Sequence, residues 1–332
     1  MRDELIKITE KFEGKRILVI GDIMLDKYIW GNVTRISPEA PVQVVHVEKQ
    51  SVVLGGAANT ANNVASLKGT VSIIGVTGED DARDRLIDEL KKKGIMIDGI
   101  MSEKNRQTIQ KVRIMAQNQQ LLRVDYEDGV LVSKEAEGKM IHFLKKSIDG
   151  FDGVVISDYF KGIVTKDLIK EASSLIKAHG KFLIIDPKPA HTDYYNDVDL
   201  ITPNHKEACE MLNLNPELSK DESSIEMIGS ELKKRLDCNI LLTRGEQGMA
   251  LFLKSGEVIK IPTKAKEVYD VSGAGDTVVA SFALALAAGA DYKQAAHIAN
   301  YAAGIVVGKL GTATTTVSEL KKAIEDEQSD FL

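Results

Sequence analysis

Short runs of apolar residues, each closed by a glycine or a polar residue, recur along the chain as "RILVIGD", "VSIIGVTG", "GVVISDY", "KFLIIDPK", "DLITPN" and "NILLTRG". Apolar runs without alternation describe strands covered on both faces, as in a parallel sheet. Between them lie segments such as "DDARDRLIDELKKKG" and "TKDLIKEASSLIKAHG", with charges on one helical face and Gly94 or Gly180 as a stop. Strands alternating with such helices predict an α/β fold in which helices wrap a parallel sheet.

Two stretches break this rhythm. "APVQVVHVEKQSVV" and "TIQKVRIMAQNQQLLRVDYED" alternate apolar and polar residues, the pattern of antiparallel strands with one covered face. They are expected to form either a small sheet standing off the main body or an edge extension of the central sheet. In the first case, segments at about 28–54 and 100–127 would make a lid over an active site, with an apolar face able to pair with a second copy. No Pro- or Ser-rich linker, repeat or low-complexity tract divides the chain, so 1–332 reads as a single domain. The final "EDEQSDFL" reads as a frayed tail.

With 332 residues, 43% of them hydrophobic, the chain is long enough to bury a substantial core. A formal net charge of -6, with no Lys- or Arg-rich face, argues against a nucleic-acid partner. Cys209 and Cys238 lack CxxC spacing, so neither a disulfide framework nor a zinc site is indicated. The opening "MRDELIKITEKFEGKR" is charged, and the longest apolar run, at 278–290, is too short to span a bilayer. The expectation is a soluble cytoplasmic protein with small-molecule partners and none in the membrane.

Several motifs are missing. There is no GxxxxGK[ST], "GAGDTV" lacks the third glycine of GxGxxG, and the six histidines never form HExxH. What remains is a set of polar residues at the carboxyl ends of the expected strands, where ligands bind in open α/β sheets. In "DVSGAGD", Gly273, Ala274 and Gly275 can offer successive N–H groups to phosphate oxygens, and Asp276 follows where it could take a proton from an attacking hydroxyl. A glycine-rich helix start chosen for close packing gives the same letters. In "TPNHKEA", Asn204 and Glu207 stand three apart at a helix start, suited either to Mg²⁺ through its waters or to capping. "TRGEQGM" offers Gly245 and Gly248 for close approach to a ligand, or simply makes a hairpin turn. Asp22, Asp26 and the Gly55, Gly56 and Asn59 of "LGGAANTANNVA" supply the carboxylates and amides that hold sugar hydroxyls.

Taken together, these residues resemble the ribokinase-like (PfkB) family of carbohydrate kinases. The likeness rests on "GGAANTANNVASLKG" and "DVSGAGDTVVASFALALAAG" and runs from about 16 to about 320. Within the family, "TRISPEAPV", "NQQLLRVDYE", "ISDYFKG", "EVYDVSGAGDTVV" and "VVGKLGT" look like the branch of heptose 7-phosphate kinases that serves heptose nucleotide biosynthesis. The resemblance implies a three-layer α/β/α sandwich with a small β-sheet lid, and ATP and Mg²⁺ as reaction partners. It makes Asp276 the catalytic base and Gly273, Ala274 and Gly275 the anion hole. Asn204 and Glu207 match the NxxE motif that acts with Mg²⁺ and the nucleotide phosphates, while Thr243, Gly245 and Asn300 fall near the nucleotide. Asp22, Asp26, Gly55, Gly56 and Asn59 fall on sugar-binding positions, and Asp270 and Ser272 on a potassium site. Val278 stands where many sugar kinases of the family carry Phe, which looks like the heptose branch. No HxGH nucleotidyltransferase motif occurs, so only a kinase step is expected of this chain.

The acceptor's own phosphate would need cations. Arg113 and Arg123 of the expected lid and Lys161 of "SDYFKG" are candidates, as an arginine fork matches phosphate oxygens and lysine adds a point charge. Lys188 in "DPKP" is placed to approach the transferring group; each could equally be a solvated surface cation. Other readings are a kinase of another sugar or sugar phosphate, a nucleotide-binding regulator without catalysis, and a dehydrogenase. The last lacks its dinucleotide fingerprint. A homodimer through the lid sheets is expected from the alternating strands.

Overall fold

The protein is described by a computed structural model over residues 1–117, 119–218, 221–265 and 267–326. Residues 327–332 of the expected tail, and Asn118 in the second alternating stretch, lie outside them. The chain begins α1 (Arg2–Glu10), β1 (Arg16–Gly21), β2 (Ile23–Ile36), β3 (Gln43–Gly56), α2 (Ala57–Ser66), β4 (Thr70–Thr77), α3 (Asp81–Lys92) and β5 (Met96–Ser102). It continues β6 (Ile109–Ala116), β7 (Gln119–Tyr126), α4 (Lys134–Ser147), β8 (Gly153–Ser157), α5 (Lys166–Ala178), β9 (Phe182–Asp186), β10 (Leu200–Ile201) and α6 (His205–Met211). It closes with α7 (Glu222–Leu236), β11 (Asn239–Thr243), β12 (Met249–Phe252), β13 (Val258–Ile261), α8 (Ala274–Ala287), α9 (Tyr292–Val307) and α10 (Val317–Glu325).

The apolar runs form the central sheet, in the order β13-β12-β11-β10-β9-β8-β1-β4-β5. It is parallel from β11 to β5, and β12 and β13 add an antiparallel hairpin at one edge. Side chains alternate across a strand, so Ile17 and Val19 of β1 enter one core with α1, α2, α8, α9 and α10, whereas Leu18 and Ile20 enter another with α4, α5, α6 and α7. That is the three-layer α/β/α sandwich. Asp or Asn side chains cap α3, α6, α7 and α9, and Ser or Thr side chains cap α4, α5 and α10. Among the described residues, no helix is long and apolar enough to cross a membrane.

The two alternating stretches meet in a separate four-stranded sheet, ordered β3-β2-β6-β7. It is not an edge extension of the central sheet. Its boundaries differ from those expected: β2 begins at Ile23, one residue after β1 ends, and β5 pairs with β4 in the central sheet. Ile97 and Ile100 of β5 pack on one core and Met101 on the other, so β5 contributes side chains to both faces as the edge strand of the central sheet.

α8 is apolar nearly all round, and residues 277–285 are buried between the sheet, α2 and α9. Phe282, fully buried there, anchors the helix that presents the candidate site. Phe282→Ala is expected to lower unfolding stability by about 3–5 kcal/mol, read from urea titrations at constant m-value.

Candidate active site

Asp276 lies in the first turn of α8 and is 3% exposed. Its Oδ2 accepts a hydrogen bond from Asn59 Nδ2 at 2.7 Å and its Oδ1 accepts from Thr60 Oγ1 at 2.8 Å, both from α2. The Tyr159 hydroxyl sits 3.2 and 3.3 Å from the two oxygens. Burial pushes the carboxyl above the usual range, Asp26 adds to that, and the Asn59, Thr60 and Tyr159 donors oppose it. Gly273 takes φ 78°, and a Cβ there would stand 2.8 Å from Asn59 Nδ2. Glycine is therefore what lets the start of α8 meet α2. The Ala274 N–H donates to Val271 O at 3.2 Å, closing the turn that precedes the helix. Of the three expected anion-hole amides, those of Gly273 and Gly275 keep no backbone partner among the described residues.

Asp22 sits between β1 and β2 and is fully buried. Its carboxylate accepts from the backbone N–H groups of Tyr159 (2.8 Å), Lys161 (3.2 Å) and Ile163 (3.1 Å), so it braces the loop after β8. Burial and the neighbouring Asp158 push it up to about 6 against those three donors. Asp158 accepts from Tyr195 Oη at 2.8 Å and lies 2.6 Å from His191 Nδ1. Asp26 reaches the small sheet, where Arg113 Nη1 donates to its Oδ1 at 2.7 Å. A Cβ on Gly55 would stand 2.8 Å from Asp26 Oδ2, and one on Gly56 2.4 Å from Asp22 O. Both glycines thus keep β3 close to the two aspartates.

On the other side of Asp276, Lys188 pairs with Glu207 Oε1 and lies over the Tyr159 ring at 5.3 Å. Burial works against the Lys188 charge, but Glu207 and Asp186 raise it overall. Asn204 caps α6: its Oδ1 accepts from Glu207 N at 2.9 Å, and Glu207 Oε2 accepts from Asn204 N at 3.0 Å. The Asn204 side chain is thus engaged in the cap, while Glu207 is paired with Lys188 rather than freely solvated. Thr243 bridges to Asn204 between the ends of β10 and β11. Gly245 follows in an open turn at φ 58°. Asn300 is buried in α9 and donates to Pro262 O at 2.6 Å, fixing the strand that leads to Lys264. Beside it lies a cleft of about 860 Å³ lined by Lys264, Ala265, Tyr269, Tyr301 and Gly304, among others.

Asp186, at the end of β9, is held well above the usual carboxyl range by burial and by the charges of Glu207 and Asp276, with Lys188 opposing. Three carboxylates therefore lie near one another with Lys188 as the cation acting on Asp186 and Glu207. Among the described residues, no group of three His, Cys, Asp or Glu side chains is disposed to chelate a metal directly. The cluster of carboxylates fits a divalent cation that keeps its waters, as Mg²⁺ does. Asp270 Oδ1 accepts from Ser272 N at 2.9 Å and Oδ2 from Gly311 N at 3.1 Å. Both oxygens tie loops together, leaving Ser272 as an exposed neighbour.

The expected phosphate cations all stand beside carboxylates. Arg113 pairs with Asp26, Arg123 Nε with Asp125 at 2.9 Å, and Lys161 Nζ with Glu127 at 2.7 Å. Thr60, Tyr159 and Asp186 belong to the candidate site without having been singled out. Asp186 carried a legible signal, since it closes the apolar run "KFLIID" at a strand's carboxyl end. Tyr159 follows the same rule, two residues after the end of β8.

A family profile for pfkB family carbohydrate kinases matches residues 15–319. The "Bifunctional protein HldE" of Desulfatibacillum aliphaticivorans is 44% identical over 317 residues, covering 95% of this chain and 64% of that protein. The HldE of Sulfurimonas denitrificans is 42% identical, covering 96% of this chain and 65% of that protein. The chain thus spans about two thirds of the length of these relatives. Among solved structures, Arabidopsis thaliana ribokinase complexed with ribose and ATP superposes with a TM-score of 0.74 at 20% identity, covering 94% of this chain and 99% of that one. Escherichia coli phosphofructokinase-2 in complex with potassium gives 0.76 at 17% identity, covering 94% and 98%. At those identities the two share the fold with this chain.

Asp22 gives the site a pH signature. Its folded value near 6 lies above the ~4 of an unfolded aspartate, so between those values the folded chain holds the extra proton and stability falls as pH rises. The two-unit gap corresponds to about 3 kcal/mol lost by the upper end of that window. In guanidinium titrations from pH 4 to 7, Asp22→Asn is expected to flatten this descent relative to the unaltered chain; an identical slope would refute it.

Proposed function

The chain belongs to the pfkB family of carbohydrate kinases, and from that premise we propose that it transfers the γ-phosphoryl group of ATP to O1 of D-glycero-D-manno-heptose 7-phosphate, giving the 1,7-bisphosphate for heptose nucleotide synthesis. The observation that carries the chemistry is Asp276: a buried carboxylate fixed by α2 donors in the first turn of a helix headed by the Gly273 and Gly275 amides, which keep no backbone partner among the described residues. The choice of sugar rests on the branch motifs of the sequence, "TRISPEAPV" and "ISDYFKG" among them.

A carboxylate offers about four acceptor positions. Asn59 and Thr60 hold two, and the longer, shared contact from Tyr159 is the one an acceptor hydroxyl replaces. Asp276 then takes the hydroxyl proton late, because a loose transition state needs little activation of the nucleophile. Its raised proton affinity suits that role. The Gly273 and Gly275 amides and the positive end of α8 face the negative oxygens of the transferring group. Lys188 holds the γ-phosphoryl side, and the nucleotide extends past Thr243 and Gly245, its base in the cleft beside Lys264 and Tyr301. Glu207, Asp186 and the Asn204 turn would hold Mg²⁺ through its waters, and Mg²⁺ supplies charge neutralisation to the nucleotide phosphates. Gly55, Gly56 and Asn59 bound the sugar's side, with the small sheet as its cover.

Period-two alternation places Ile29, Ile114, Leu122 and Val124 on the face of the small sheet opposite Asp26 and Arg113. Leu122 is 54% exposed there, and this face is the surface we assign to a second copy. Light scattering should give twice the 36.3 kDa chain mass, and a monomer at working concentration would overturn the dimer.

ADP release with Mg-ATP should be fastest with heptose 7-phosphate in a panel containing unphosphorylated heptose, ribose, fructose and fructose 6-phosphate, with only slow turnover of unphosphorylated heptose and none of the other three. Asp276→Asn should cut turnover roughly 10²- to 10⁴-fold while preserving ATP binding. Near-normal turnover in that variant would remove Asp276 from the base role. Activity on a different sugar would change the substrate alone.

A further inference from the structure

Resting on the reading that the acceptor is a sugar phosphate, we infer that Lys111 is the residue that recognises the acceptor's own phosphate. Lys111 and Arg113 are two apart on β6 and so share one face of the small sheet. In register with them on that face stand Asp26 and Tyr28 of β2, and Asp125 and Arg123 of β7. The Lys111 end of this face looks toward the active site, because its Nζ lies 5.7 Å from the centre of the Tyr159 ring and the Tyr159 hydroxyl touches Asp276.

The cations around this face differ in what they already hold. Arg113, Arg123 and Lys161 are each ion-paired, to Asp26, Asp125 and Glu127. Lys111 has the Tyr159 ring and, among the described residues, no ion-pair partner. Burial holds its ammonium below the usual lysine range; Lys161 and Arg123 act in the same direction, against Asp26 and Asp125. A half-buried ammonium with no carboxylate in ion-pair contact carries a cost that an incoming dianion relieves. Arg113 is the opposite case, since moving it onto a phosphate would leave the buried Asp26 unpaired.

Position supports the same choice. Lys188, paired with Glu207, also lies near the Tyr159 ring, at 5.3 Å, so two ammoniums on different elements, one on the small sheet, flank the aromatic residue whose hydroxyl touches Asp276. A sugar with its reacting hydroxyl at Asp276 and its phosphate at Lys111 keeps its own charge apart from the transferring one.

The test compares the unaltered chain with Lys111→Met and Lys111→Arg. Steady-state rates are measured with Mg-ATP on heptose 7-phosphate and on unphosphorylated heptose, and calorimetry measures the affinities for heptose 7-phosphate and inorganic phosphate. Lys111→Met should weaken KM and Kd for the sugar phosphate about 10- to 100-fold. It should leave KM for ATP and kcat/KM for unphosphorylated heptose within about twofold, and Lys111→Arg should recover most of the loss. Equal losses on the two sugars would overturn the assignment, since a merely structural lysine affects both. If the unaltered chain does not turn over heptose 7-phosphate, the proposed substrate fails and the calorimetric ratios judge Lys111 alone. Weaker anion binding by the Met variant then sustains it, and equal binding ends it.

Discussion

The hydrogen bonds from Asn59 and Thr60 to Asp276 join two helices that enter the protein from opposite ends of the sequence. A buried carboxylate is costly unless donors surround it, and here two of its three donors come from α2, placed by the last residues of β3. The match extends deeper, where Thr277 Oγ1 donates to Asn63 Oδ1 at 2.8 Å and Asn63 Nδ2 to Asn59 O at 3.0 Å. This polar seam fixes the crossing of α2 and α8 in register, within otherwise apolar surroundings. Without it, neither the aspartate nor the free amides at the head of α8 would have a defined position.

A second layer of bracing surrounds that seam. Asp22 holds the loop after β8, which carries Tyr159 to Asp276 and Lys161 to Glu127. Asp158 on the same loop ties His191 and Tyr195, and the Tyr195 hydroxyl accepts from Lys188 N at 2.8 Å. Tyr159, Lys161 and Lys188 are thus held in place by buried carboxylates and the hydroxyls they engage. The raised proton affinity of Asp22 follows from this burial and from the neighbouring Asp158.

Much of this was legible in the chain. Unbroken apolar runs announced the parallel sheet, and the paired glycine and asparagine signatures marked both sides of the α2 and α8 crossing. What periodicity could not give was register. Whether Arg113 meets a ligand or Asp26 depends on which residue of β2 lies beside it, and that pairing is parallel between strands more than seventy residues apart in sequence. Lys111 was hidden for the same reason: "TIQKVRIM" states that Lys111 and Arg113 share a face but not which carboxylates stand across from them. The Asn204 side chain shows a different ambiguity, since a capping box and a ligand motif need the same two residues at the same spacing. β5 was misplaced because a short strand with an internal glycine carries little pattern of its own.

The junction of the two sheets has a mechanical meaning. β1 passes into β2 across Asp22 alone, and β3 passes into α2 at Gly56, whose neighbour Ala57 donates to Asp22 O at 3.0 Å. The outer sheet is therefore a lever whose fulcrum is these two adjoining positions. Any tilt of it turns the first residues of α2, and three positions beyond Gly56 stands Asn59. On the proposed reading, covering the sugar and orienting the carboxylate that accepts its proton are coupled through Asn59.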